Sequence, residues 1–320
     1  MRSTIRSVLL ALVLAAGAVA PTLAQVAVGS LSGTVTYDST VAVSGYVAYL
    51  DLSGGAFTPV VSPLSDSCRQ AGNGQVSMLP TRDFQSQNGT LLAITANSGP
   101  AMSSYKTGTC GVPAGLVVSG GLLVNPGQTG GPVLYFNTPS AAAITGGTVP
   151  TSAQWAVAGS TNTNNDCPNL HQPGSLLVAN GTPGVCPIPK STIPAARGAV
   201  GVDATGTVLI VAVVEGAEGT SGLKTADLAS LLIGLGAVNA VNFDGGGSTV
   251  FYWTPGATAP VQSAKLVQML KSAAVPSKLP NPGSLTFKVT PLDPSQQYVY
   301  DASAPGGRPI YASLGFLFGH

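Results

Sequence analysis

The hydrophobic pattern is clearest between residues 197 and 253. Residues 208–214, VLIVAVV, form an unbroken apolar run rich in β-branched side chains, which predicts a strand buried on both faces in the middle of a sheet. In 225–235, Leu228, Leu231, Leu232 and Leu235 recur at i, i+3, i+4 and i+7, with Asp227 in the first turn and Gly236 as a stop. That spacing predicts an amphipathic helix. Residues 237–243 then predict a strand whose period of two sets Val241 and Phe243 on one face, while Asn242 and Asp244 leave the core together on the other. Further strands are expected over 41–52, 89–96, 115–119, 133–136 and 308–318, and a second helix over 261–274. The fold class that follows is α+β: one large domain, a β-rich core with a mixed sheet and a few packed helices.

Composition sharpens this picture. Only 8% of the 320 residues are charged, while 44% are hydrophobic, so charge-driven disorder is excluded. The 41 Gly and 25 Pro show no three-residue period, which excludes collagen and favours many tight turns. A net charge of +1 with no basic cluster makes nucleic acid an unsuitable partner. Arg2 and Arg6 precede the apolar run 8–16 and small residues ending at Ala24, so 1–24 reads as a secretory signal peptide. Its apolar core is shorter than the roughly 20 residues that span a bilayer, so no stable membrane span is expected after cleavage, and a secreted or periplasmic location follows. Residues 25–40 read as a polar leader to a domain at 41–320. The four cysteines, Cys68, Cys110, Cys167 and Cys186, suit disulfides in an exported chain. Three pairings are possible, and nearest-neighbour closure (Cys68 with Cys110, Cys167 with Cys186) is the expectation. Residues 159–194 read as a long loop pinned by the second pair. With His171 and His320 the only histidines, no metal-ligand spacing and no cofactor are called for, and a Ser-His-Asp triad is a poor fit.

The candidate chemistry lies in Asn242-Phe243-Asp244-Gly245-Gly246-Gly247-Ser248. A carboxylate at the end of a buried strand is followed by three glycines, residues that tolerate positive φ and let a ligand approach backbone amides. The run has neither the spacing of a dinucleotide fingerprint nor the lysine of a Walker loop. A phosphate nest and a plain hairpin turn capped by Asp244 are both open readings. Tyr252 and Trp253, just beyond, read as core or as a sugar-stacking platform.

The order of features around this motif resembles the phosphodiester glycosidase family, the relatives of the lysosomal uncovering enzyme. The strand ending Asn242 to Ser248, the helix before it, and the segment Arg197-Gly198-Ala199-Val200-Gly201-Val202-Asp203 carry the resemblance. So do Ala96-Asn97-Ser98-Gly99, Pro113 to Val118, and Gly307-Arg308-Pro309-Ile310. It covers about residues 41–318. Three features depart from the family pattern: the family's Arg-Thr pair is Arg197-Gly198 here, an arginine after the acidic-Gly pair is Ala217, and the Asn97 turn continues into Ser98 and Pro100. The resemblance implies hydrolysis of a sugar-1-phosphodiester to free sugar and a phosphomonoester, its substrate a sugar-phosphate diester or a cell-surface glycopolymer. Such a leaving group departs without the second, protonating carboxyl that ordinary glycosidases need. Asp244 is accordingly assigned the catalytic carboxylate. Arg197, the amides of Gly245, Gly246 and Gly247, and Ser248 are assigned the phosphate, with Asn97 and Asn242 as further substrate contacts. Glu215, at the exit of the neighbouring strand, is the candidate for a second carboxylate, and Arg308 reads as structural. Two other classes stand beside this one: a non-catalytic sugar-phosphate or polysaccharide-binding envelope protein on the same fold, and a purely structural envelope or adhesion protein.

Overall fold

A computed structural model describes residues 24–70, 76–97, 106–126, 131–159, 176–184, 192–256, 260–277, 285–303 and 307–318. Its spine is a nine-stranded sheet. The run predicted at 208–214 is the strand Val208–Val214, fully buried and near the sheet's centre. It pairs antiparallel with Arg197–Val202 on one side and Thr40–Asp51 on the other. Asn239–Asn242 lies beyond Arg197–Val202, and Gln25–Thr36 beyond Thr40–Asp51. A parallel contact between Gln25–Thr36 and Val261–Gln262 makes the sheet mixed.

The period of two sends alternate side chains of these strands into two cores. Val200, Val211, Val213, Val241 and Phe243 pack toward two five-stranded sheets, with Leu92, Ile94, Phe136, Phe251 and Phe316 opposite them. Ala199, Ile210, Ala212 and Ala240 pack toward helices Thr225–Gly234 and Ala264–Ser272, through Leu228, Leu231, Leu232, Leu266 and Leu270. The architecture is therefore the β-rich α+β domain that the pattern implied.

Several local expectations are corrected. Residues 25–36 are not a leader but a strand of the spine: Val26 and Val28 enter one core, Ala27 and Leu31 the other. Their polar look comes from glycines required by close packing. A Cβ at Gly33 would stand 2.1 Å from the Thr286 carbonyl oxygen, and one at Gly29 2.5 Å from Val289 Cγ1. Gly89 does not open a strand but closes the helix Thr81–Asn88 in a left-handed conformation, φ 64°, and the strand is Leu92–Thr95. The second helix starts at Ala264, since 261–262 are held by pairing to Gln25 and Val26. Within the expected 159–194 loop, residues 176–184 instead hold a short hairpin on the sheet edge. Tyr252 and Trp253 are core, 7% and 0% exposed, which removes them as a sugar platform. Cys68 and Cys110 form a disulfide; Cys167 and Cys186 lie outside the described residues. Among the described residues, no helix is long and apolar enough to cross a membrane.

Candidate functional site

The site forms where the nine-stranded sheet meets the five-stranded sheet containing Leu92–Thr95. Asn242 is the last residue of Asn239–Asn242 and pairs with Ala199. Phe243 N–H still reaches the Gly198 carbonyl at 2.8 Å, but the next amide, of Asp244, donates to Ala96 of the other sheet at 2.9 Å. Gly246 N–H then turns back to the Ala196 carbonyl, also at 2.9 Å. Gly246 adopts φ 60°, which favours glycine, and residues Gly246–Ser248 make one 3-10 turn into the strand Val250–Trp253. The Thr95 hydroxyl pins that turn through the Ser248 carbonyl at 2.5 Å.

Asp244 is thereby fixed between two sheets. Its Oδ1 accepts the Gly245 N–H at 3.0 Å, and its carboxyl also takes the Ser248 hydroxyl. Burial pushes the carboxyl above its ordinary range, against the opposing pull of Ser248, the Gly245 amide and the Arg308 charge. Asn242 does not leave the core with it. Its amide nitrogen donates to the carbonyl of Phe243 at 2.7 Å, and its buried Oδ1 has no hydrogen-bond partner. Asn97 follows the carbonyl that receives Asp244, accepts the Ala114 N–H at 3.2 Å, and leaves Nδ2 buried without a partner. Orphaned buried polar atoms are uncommon, and these two belong to residues that neighbour the backbone junction at Asp244.

Two guanidinium groups flank the glycine loop. Arg197 is buried, with Nε donating to Leu223 O at 3.0 Å and Nη2 to Ile193 O at 2.9 Å. Burial lowers its affinity for the proton from the ordinary arginine value, yet arginine stays charged at neutral pH. Its Nη1 sits 3.5 Å from where a Gly245 Cβ would be. From the other side, Arg308 brings Nη1 to 3.9 Å from the Cβ position of Gly247. Asp301 positions it by accepting the Ser303 N–H at 2.9 Å, while Ser303 Oγ accepts the Arg308 N–H at 2.9 Å. Arg308, read from sequence as structural, therefore faces the site. Its place in the Gly307-Arg308-Pro309 segment was the available signal.

The remaining sequence candidates divide. Gly245, Gly246, Gly247 and Ser248 surround Asp244, but the amides of Gly245 and Gly246 are engaged by Asp244 and Ala196. Gly247, the most exposed residue of the loop, has the Arg308 guanidinium beside it. Glu215 is held outside this group: its carboxylate accepts the Ser44 hydroxyl at 2.7 Å. Between it and the loop stands Ala196, whose nitrogen is 2.9 Å from the Cβ position of Gly216 and whose oxygen holds Gly246. Among the described residues, no group of three or more His, Cys, Asp or Glu side chains is arranged to hold a metal.

The profile of the phosphodiester glycosidase family matches residues 88–274, which include Asn97, Arg197, Glu215 and the whole 242–248 segment. The chain belongs to the phosphodiester glycosidase family. Two solved structures share the fold of this family member. One is the catalytic domain of zebrafish N-acetylglucosamine-1-phosphodiester alpha-N-acetylglucosaminidase, auto-inhibited by its pro-peptide, with 16% identity, TM-score 0.57, and coverage of 92% of this chain and 83% of that one. The other is a hypothetical protein from Synechocystis, with 12% identity, TM-score 0.52, and coverage of 91% and 62%. No curated protein matches the chain.

The departure from the family pattern at Gly198 leaves space beside the site. A Cβ there would meet only the Asp244 carbonyl oxygen, at an ordinary 3.7 Å. Gly198→Thr is expected to fold with unchanged or slightly higher stability, by up to about 1 kcal/mol, since it removes a flexible residue from a strand. A thermal melt checks this, and a loss above about 1 kcal/mol would show that the position does not admit a side chain.

Proposed function

We propose that this protein is an exported hydrolase that cleaves the glycosidic bond of a sugar-1-phosphodiester, giving free sugar and a phosphomonoester. The observation that carries the reading is one burial-perturbed carboxyl, Asp244, sharing a glycine loop with two guanidinium groups. Export rests on the Arg2/Arg6-led apolar run at 8–16, which lies outside the described residues.

The chemistry follows from the leaving group. As the bond between the anomeric carbon and the phosphate oxygen breaks, its electron pair goes to the phosphate, where Arg308 and Arg197 stabilise the charge. No general acid is needed for so good a leaving group, consistent with the engagement of Glu215 by Ser44. Water adds to the anomeric carbon and gives its proton to Asp244, which must be ionised to accept it. The Ser248 hydroxyl and Gly245 amide hold that carboxylate in place.

The test incubates the protein with a panel of sugar-1-phosphodiesters and nucleotide sugars, assaying free reducing sugar and phosphomonoester separately. Equal release of both supports the reading; sugar-1-phosphate as product would mean P–O cleavage, and no release would leave a binding protein on this fold. Arg308→Ala is expected to lower kcat/KM by about 100-fold and to weaken inhibition by inorganic phosphate, because it removes one charged donor from the developing anion. Unchanged phosphate inhibition would remove Arg308 from the site.

A further inference from the structure

A second cluster lies one residue away from the glycine loop. Tyr46, in Thr40–Asp51, stacks on Phe251 with ring centroids 5.2 Å apart and planes 8° apart. Tyr298 leans beside it at 6.1 Å and 36°. Tyr300 is the register partner of Phe251, and Tyr298 that of Trp253, so both tyrosines project from the face that meets Tyr46. All three tyrosines stay partly exposed. At their edge stands Glu215, opposite Ser44 and close enough for its charge, after burial, to raise the Tyr46 and Tyr300 hydroxyls. Gly216, the next residue, donates its N–H to the Tyr300 hydroxyl at 3.1 Å.

Packing alone does not account for the carboxylate. This chain has twelve acidic residues, and one of them, Glu215, stands beside two partly exposed tyrosines, Tyr46 and Tyr300. The salt bridges of the described residues, Arg69–Asp66 and Arg82–Asp83, do not include it. Ser44 occupies Oε2, and a carboxylate has capacity for several more donors. Partly exposed tyrosines beside such an acceptor match a pyranose ring, which is apolar on its C–H faces and rimmed by hydroxyl donors.

We infer that Tyr46, Tyr298, Tyr300 and Glu215 form a carbohydrate subsite, in which a neutral sugar ring lies against the tyrosines and its hydroxyls donate to Glu215. Its place in the substrate rests on the hydrolase reading above: Gly216 and Gly246 both contact Ala196, which sets the sugar ring beside the glycine loop to which that reading assigns the phosphate. Glu215 is then a binding group for sugar hydroxyls and not a second catalytic carboxylate.

The test measures saturation transfer by NMR from the protein to glucose, galactose and N-acetylglucosamine as free sugars, with Tyr298→Ala and Glu215→Gln alongside the wild type. Tyr298 is partly buried at the edge of the core, so a thermal melt confirms folding of both variants, and Glu215→Gln, which keeps the size of the side chain, tests the subsite independently. Ring C–H signals of at least one sugar are expected for the wild type, falling fivefold or more in each variant. Absence of transfer to every sugar, or transfer that both variants retain, overturns the subsite. The two readings separate cleanly. Variant-sensitive sugar binding without diester hydrolysis keeps the subsite and removes the hydrolase, whereas hydrolysis with a KM unaltered by both variants does the reverse.

Discussion

Asp244→Asn is expected to lower diester hydrolysis by about 1000-fold or more in kcat and, at the same time, to stabilise the folded protein at neutral pH. The first effect follows because a carboxamide cannot accept the proton of the attacking water; a lost general base costs 100- to 10,000-fold, or about 3–5 kcal/mol of barrier. The second follows from the direction of the shift. Burial holds the Asp244 proton to a higher pH in the folded chain than in the unfolded one. Between the ordinary value of about 3.9 and the raised one, the folded state binds more protons, so stability falls as pH rises through that window. Above the window the fold carries the cost of ionising this partly buried carboxyl, a cost that asparagine does not incur. The same shift sets the acid limb of kcat, which is expected above the ordinary carboxylate range because only ionised Asp244 accepts a proton. Melting curves and pH–rate profiles of both proteins decide the matter. A variant that is inactive but less stable at pH 7 would identify Asp244 as a structural turn residue, the plainer of the two readings of the motif.

Replacing Cys68 and Cys110 together by serine is expected to cost about 4 kcal/mol of stability. The bond closes a 42-residue loop, and the restriction it places on the unfolded chain has about that magnitude in the chain-entropy account. For a domain of this size the loss corresponds to a fall of roughly 8 °C in Tm. Activity should fall too, because the closed loop carries Asn97 and is clamped to the wall of the site. Cys110–Gly111 pairs with Val76–Ser77, and Leu79 bridges to Ile310, two residues beyond Arg308. Calorimetry of the double variant, and of the wild type with and without reductant, checks this; a loss below about 1 kcal/mol would mean that the segment is held by its packing alone.

The parts of the site that were legible in the sequence share one property: they follow from local order along the chain. The run at 208–214 is a central strand because seven consecutive apolar residues have no polar face to give to solvent. Thr225–Gly234 is a helix because its leucines recur at the helical period, and Asp244 stands at a strand end because the alternation of 239–243 stops there. The sequence by itself thus determined the β-rich α+β class, the central strand and helix, the glycine loop and its carboxylate. Only the tertiary structure decided the rest, through contacts between residues far apart in the chain. It converted 25–36 from leader to spine strand, since glycines that look like loop punctuation are the price of close strand packing. It turned the Arg308 side chain toward Gly247, tied Arg197 to the carbonyls of Leu223 and Ile193, and drew Glu215 away to Ser44 among the tyrosines. Periodicity states which face a residue occupies; which other face it meets is set by the pairing of distant strands, and no local pattern encodes that partner.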